Sequence, residues 1–343
     1  MWYTVNKRMA VGKLLHTSGT KLYPANFGVN RLITKTKSMH NDTKATIRAF
    51  IALLLLTIIW GYNWVVMKTA LQYAGPFQFA ALRTFFGAVV LFVVIFLTKR
   101  PMALKEFPTM LVLGLLQTIG FTGLLVWALV EGGAGKTAVL TYTMPFWVML
   151  FAWPMLGEKV QGWQWLAVIS AIFGIVLIFD PLHIKADGFS MLLALCSGVS
   201  WALSAIISKK LHQRSPDLDL LNLTAWPMLL GSIPMLAIAF IVPAAPIEWT
   251  GYFIGSVLFN VFLSGALAWL LWLYALQRLP AGVASMASML APVIGVIAAW
   301  IQLDEVPEQL ETIGMLLIGL SLLTISYLSI RQHKPVEPAM AQD

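Results

Sequence analysis

The chain has 343 residues, 59% of them hydrophobic and 11% charged, with a formal charge of +8. A water-soluble domain carries about 25% charged residues. A mean hydropathy of +0.80 therefore excludes a soluble globule and makes lipid the solvent for most of the chain.

The positive charge is local. Residues 1–48 hold nine Lys or Arg and one acid, Asp42, and the remainder is neutral. A short basic tail beside a membrane is the mark of a segment retained in the cytoplasm, not of a nucleic-acid interface. Residues 1–46 are read as a basic, disordered extension. They contain no apolar core of the kind a secretory signal needs, and translation is expected to start at Met39. One cysteine, Cys196, leaves no disulfide framework or Cys metal site within the chain. The five histidines lie outside the apolar segments, so no metal and no cofactor is expected.

Ten apolar segments follow: 49–67, 77–98, 107–130, 137–156, 163–179, 189–208, 220–242, 251–276, 280–303 and 310–330. Each approaches the roughly 20 residues that cross a hydrocarbon core. Their continuous apolar character excludes the alternation of a β-barrel. The links are short and carry turn signals, such as Ala74-Gly75-Pro76 and Lys99-Arg100-Pro101. Alternate links hold Lys99, Arg100, Lys105, Lys159, Lys209, Lys210, Arg214 and Arg278. The others hold Lys136 and Lys185, with Lys68 at a helix end, and the acidic group Asp304, Glu305 and Glu308. Positive residues stay inside, so both termini are predicted to be cytoplasmic.

The chain repeats itself. With a constant shift of 147, residues 128–158 and 275–305 share nine identical pairs, among them Pro145/Pro292, Trp153/Trp300 and Glu158/Glu305. Shared apolar composition alone would give roughly three. The first and sixth segments match at a shift of 141 through Trp60/Trp201 and Lys68/Lys209. Each half holds five segments. Five is odd, so the halves, 47–180 and 188–330, enter the membrane from opposite sides, with 331–343 as a C-terminal tail. Inverted repeats around a midplane site are an architecture of alternating-access transport.

Three marks in register resemble the EamA type of the drug/metabolite transporter superfamily over about residues 47–330. They are Trp60-Gly61-Tyr62-Asn63, Leu82-Arg83, and the repeated module Pro145…Gly157-Glu158 and Pro292…Asp304-Glu305. The resemblance implies a ten-helix permease or exporter of the bacterial inner membrane. Members of that family move amino acids, metabolites, sugars or drugs, so the resemblance implies a small-molecule substrate without identifying it.

The residues offer site candidates. Arg83 lies six residues into the second segment, about 9 Å below its boundary. A charge at that depth is expensive and suits a substrate carboxylate or phosphate, unless the side chain snorkels outward. Asn63 and Asn260 are amides inside apolar runs, where an unpaired polar group is costly, so they are expected to point inward. Trp60, Tyr142, Trp201 and Tyr274 complete the cavity candidates. Pro145 and Pro292 each remove a helical hydrogen bond and are hinge candidates. Glu158 and Glu305 are expected at helix ends beside the next helix's N-terminus, as dipole partners or gates. The ridge Ala287, Ala291, Gly295 and Ala299 is expected to admit a neighbouring helix. Glu131-Gly132-Gly133-Ala134-Gly135-Lys136-Thr137 imitates a phosphate loop but has Val130 where the first glycine belongs and no preceding strand. No Asp or Glu falls deep in a span, so the sequence displays no carboxylate proton relay.

The expectation is a secondary transporter of small molecules in the lipid bilayer, a monomer or homodimer. The competing readings are a non-transporting receptor or scaffold and an intramembrane lipid-modifying enzyme. The enzyme would need paired carboxylates, a Ser/His pair or metal ligands within the spans.

Overall fold

The computed structural model describes the backbone of residues 26–158, 160, 162–180, 187–215, 217–276, 278–279 and 287–332, and among these the side chains of 46–328 other than 276. Contacts divide the chain into two units, Met1–Ala45 and Thr46–Asp343. The first half of the basic extension, the repeated pair members Ala281 and Gly282, and Lys159 and Lys185 lie outside the described residues.

The described residues are helical, with no strand among them. In chain order the helices are α1 (Asn26–Ala70), α2 (Pro76–Leu97), α3 (Phe107–Glu131), α4 (Ala134–Leu156) and α5 (Trp163–Phe179). They continue with α6 (Gly188–Arg214), α7 (Asn222–Ile241), α8 (Gly251–Ala275), α9 (Leu290–Leu303) and α10 (Gln309–Gln332). Eight are long and apolar enough to cross a membrane. The exceptions are α5, with 17 residues, and α9, with 14. Seventeen residues rise about 25 Å, slightly less than the ~30 Å core. The first part of the predicted ninth span, 280–286, is outside the description.

Local sequence sets the ends. Pro76 opens α2, where its missing N–H costs nothing, and the Gln78 side chain accepts from the Gly75 N–H at 2.9 Å. At the other end of α4, Gly157 adopts φ +73°, a left-handed turn that a Cβ would disfavour.

The outside of the bundle is apolar. Phe240 is 87% exposed and Ile301 72%, an arrangement suited to acyl chains. The inside is closely packed. Gly174 of α5 and Gly314 of α10 face each other, and a Cβ on either would lie 2.7 or 2.6 Å from the other's carbonyl. The small-residue ridge of α9 behaves as expected. Ala291 and Ala299 are fully buried, and the Gly61 backbone of α1 sits against Ala291 and Ile294.

Helices α3 and α8 share one build. An eight-residue α-helical segment leads into a nine-residue π-helical segment, Leu115–Gly123 in α3 and Phe259–Leu267 in α8. Such wide turns displace carbonyls from the ordinary ladder. In α3 the Leu116 carbonyl accepts from Ser200 Oγ of α6 at 2.9 Å. In α8 the Ser264 carbonyl accepts from Trp60 Nε1 of α1 at 3.2 Å.

Helix α4 is interrupted at Tyr142–Thr143 and resumes at Met144, with Pro145 in its first turn. Pro145 has no N–H for the Thr141 carbonyl. That carbonyl faces Gly198 of α6, where a Cβ would lie 2.8 Å from it. In α9 a turn at Met289 precedes the helix that begins at Leu290, again with its proline, Pro292, in the first turn.

Candidate functional site

Three helices bring polar groups into the apolar interior. On α1, Trp60, Asn63 and Met67 share one stripe, being three and four residues apart. Trp60 reaches α8 through the Ser264 carbonyl, and Met67 Sδ meets Arg83 Nη1 of α2 at 2.6 Å. Asn63 lies between them and is therefore directed to the junction of α1, α2 and α8.

Ring contacts fix the depth. The Tyr62 and Phe259 centroids are 6.3 Å apart, and those of Phe79 and Phe253 are 6.1 Å apart. Helices α1 and α8 run antiparallel, so Asn63 and Asn260 lie at one level. Phe253, Val257 and Asn260 form one stripe of α8, and the first two join a buried cluster with Trp64, Met67 and Phe79. Arg83 is one turn beyond Phe79 on α2. Its level is that of Met67 and Val257, about one helical turn or ~5 Å from the two amides.

Arg83 is half-buried and turned to a thioether, a weak acceptor. Among the described residues no carboxylate pairs with it. The amides are more confined. Asn63 is 4% exposed and Asn260 1%, and the Oδ1 of each lacks a hydrogen-bond partner. Asn260 Nδ2 donates to the Ser256 carbonyl at 3.0 Å, which fixes which atom of that amide is oxygen. A buried acceptor left unpaired costs about 1–3 kcal/mol.

Aromatic rings adjoin the polar junction. Trp60 lies 5.8 Å from Trp269, and Trp201 lies 6.1 Å from Trp269 and 4.7 Å from Phe121. The repeated tryptophans of α1 and α6 thus meet over one ring of α8. Tyr142, at the interruption of α4, packs against Trp64 at 6.3 Å. Tyr274 is not part of this group. It is 14 residues beyond Asn260 on the same helix, about 20 Å away, with Arg278 stacked 3.9 Å over its ring. Met67 and Trp269 complete the surroundings of the amides and Arg83. Met67 carries no sequence signal, because a methionine in an apolar run looks like packing.

Ion pairs hold both ends of the bundle. At one end Lys136 binds Asp187 at 2.5 Å and Glu311 at 3.0 Å. Lys68 Nζ donates to the Leu129, Val130 and Gly132 carbonyls at 2.7 to 3.1 Å, capping α3. The phosphate-loop imitation is thus a tight helix-to-helix turn whose lysine is occupied by carboxylates. Glu305 Oε2 accepts from the Gly135 N–H at 3.2 Å. It serves the N-terminus of α4, in the other half of the chain, rather than that of the next helix. Sequence spacing sees only neighbours along the chain. At the opposite end Arg100 binds Asp219 and Arg214 binds Glu106, each at 2.6 Å, and Lys209 binds Glu158. Among the described residues no group of His, Cys, Asp and Glu could hold a metal.

Known proteins carry the same pattern. The model of the EamA-like transporter family matches twice, over residues 47–180 and 188–327. A Bacillus subtilis protein named "Uncharacterized transporter YoaV" is 31% identical over 79% of this chain and 94% of its own length. An Escherichia coli protein named "Probable amino-acid metabolite efflux pump" is 29% identical over 83% of this chain and 96% of its own. A protein of known crystal structure shares the fold with a TM-score of 0.60 at 16% identity, over 85% of this chain and 99% of that one. The chain belongs to the EamA-like transporter family, as a multi-pass protein of the bacterial inner membrane that carries small molecules.

Proposed function

We propose that the protein is a secondary transporter that exports amino acids or related small metabolites by alternating access. The observation that carries this reading is the junction of α1, α2 and α8. It places a guanidinium without a carboxylate and two unpaired amide oxygens in mid-bundle, beside an aromatic cluster. A cation there suits a substrate carboxylate, and the rings suit an apolar or aromatic side chain.

The proposed architecture is ten spans in two inverted halves, with both termini cytoplasmic. The common build of α3 and α8 and the matched interruptions of α4 and α9 support the halves. The ion pairs support the motion. Lys136–Glu311 and Glu305–Gly135 join the halves at one end, and Arg100–Asp219, Arg214–Glu106 and Lys209–Glu158 join them at the other. The second set is solvent-exposed, where a pair is worth about 0.2–1 kcal/mol, so that end can open without unfolding the bundle, while Glu311 of the first set is buried.

Counterflow of radiolabelled amino acids into proteoliposomes tests the reading. Accumulation that falls at least tenfold in Arg83→Ala is expected. If no amino acid accumulates with the wild type, amino-acid transport is wrong. Unchanged flux in the variant removes Arg83 from the site.

A further inference from the structure

Resting on the amino-acid reading, we infer that Asn63 Oδ1 and Asn260 Oδ1 bind the α-ammonium group of the substrate, while Arg83 holds its carboxylate.

The two oxygens ask for donors. Each is buried and accepts nothing from the protein. The donor side of the Asn260 amide is committed to Ser256, so the amide cannot turn over to satisfy itself. An ammonium group offers three N–H donors and no acceptor, which matches two unpaired acceptors at one level of the bundle. The charge arrangement agrees. Arg83 places a positive charge about one turn away, which repels a free cation but complements a zwitterion whose carboxylate points toward it.

Length discriminates among substrates. In an α-amino acid the nitrogen lies ~3 Å from the carboxylate oxygens. Adding a hydrogen bond of about 2.8 Å at each end spans at most ~8.6 Å. The amides and the guanidinium level are separated by about 5–6 Å along the bundle, which leaves room for the lateral offset between helices. The site is one-sided. At the repeat shift of 141, Ser204 of α6 stands for Asn63, and Leu116 of α3 occupies the position of Asn260 in the matching π segment. The symmetry-related junction of α6 and α3 thus cannot duplicate the amide pair, so one substrate molecule is recognised and not two.

The test uses the purified full-length protein and direct binding. The probes are the twenty protein L-amino acids, each paired with its des-amino acid, such as 3-phenylpropionate for phenylalanine. For the amino acids that bind the wild type, the des-amino partner is expected to bind at least tenfold more weakly. Asn260→Leu and Asn63→Leu are each expected to weaken the amino acid at least tenfold, and to leave the des-amino acid within twofold. If Asn260→Leu elutes as aggregate, Asn63→Leu and the wild-type comparison carry the same expectation. Equal binding of the two acids by the wild type overturns the ammonium assignment alone. So does an equal loss of both in the variants, including one reversed by added sodium, which would give the amides to an alkali cation. Failure of every amino acid to bind the wild type overturns the transport reading as well, a distinct outcome.

Discussion

Gly198→Ala probes the contact between α6 and the interruption of α4. The added Cβ would lie 2.8 Å from the Thr141 carbonyl oxygen, about 0.7 Å inside the ~3.5 Å of an unstrained contact. Pro145 has no N–H to draw that carbonyl back toward its own helix. Beside it the Thr141 and Ser197 hydroxyls are hydrogen-bonded at 3.2 Å, so α6 cannot retreat without stretching a second contact. Overpacking of this kind costs about 1–3 kcal/mol. The gain from replacing a helical glycine is about 0.5–1 kcal/mol, which leaves a net loss of ~1–2 kcal/mol. Gly319 of α10 supplies the control. A Cβ there meets nothing within 4 Å, so Gly319→Ala keeps only the propensity gain and is expected to stabilise by about 0.5 kcal/mol or more. Thermal unfolding in detergent, read by tryptophan fluorescence, should order the midpoints Gly319→Ala, wild type, Gly198→Ala. Equal midpoints for the two variants would refute the close approach of α6 to the freed carbonyl.

Pro145→Ala returns an N–H to the Thr141 carbonyl and makes α4 continuous; a folded variant with at least fivefold slower counterflow is expected, and an unchanged rate rules out the interruption as a hinge. Trp60→Phe keeps the ring but removes the indole donor from the Ser264 carbonyl, and should lower stability by about 0.6–1.7 kcal/mol, measured as the same fluorescence midpoint. The proposed orientation is tested by cysteine labelling in a Cys196→Ser background with a membrane-impermeant maleimide. On intact cells Ala245→Cys should react and Leu104→Cys should not, and the reverse pattern would invert the assignment.

Much of the architecture is written in the sequence because lipid imposes it. Residues that must face acyl chains have to be apolar over about 20 consecutive positions, and that constraint is local. The repeat and the bias of basic residues are likewise one-dimensional patterns. Arg83, Asn63 and Asn260 stand out for the same reason, being polar where the solvent forbids it. Their meeting is not local. It depends on α8, nearly 200 residues beyond α1, running antiparallel to it with Ser264 opposite Trp60 and Phe259 opposite Tyr62. Tyr274 shows the limit, since an aromatic in the same helix lies several turns from the amides and stacks under Arg278. Glu305 shows another: its place at the end of its own helix is legible, but its partner is the N-terminus of α4, which only packing brings within reach. The π segments are invisible in composition, because a wide turn is decided by which neighbouring donor claims the displaced carbonyl. The sequence alone determined a membrane-spanning bundle in two halves with a few costly polar side chains. The tertiary structure decided which of those side chains share a site, because a buried polar atom is satisfied or left open by residues that only the packed helices bring beside it.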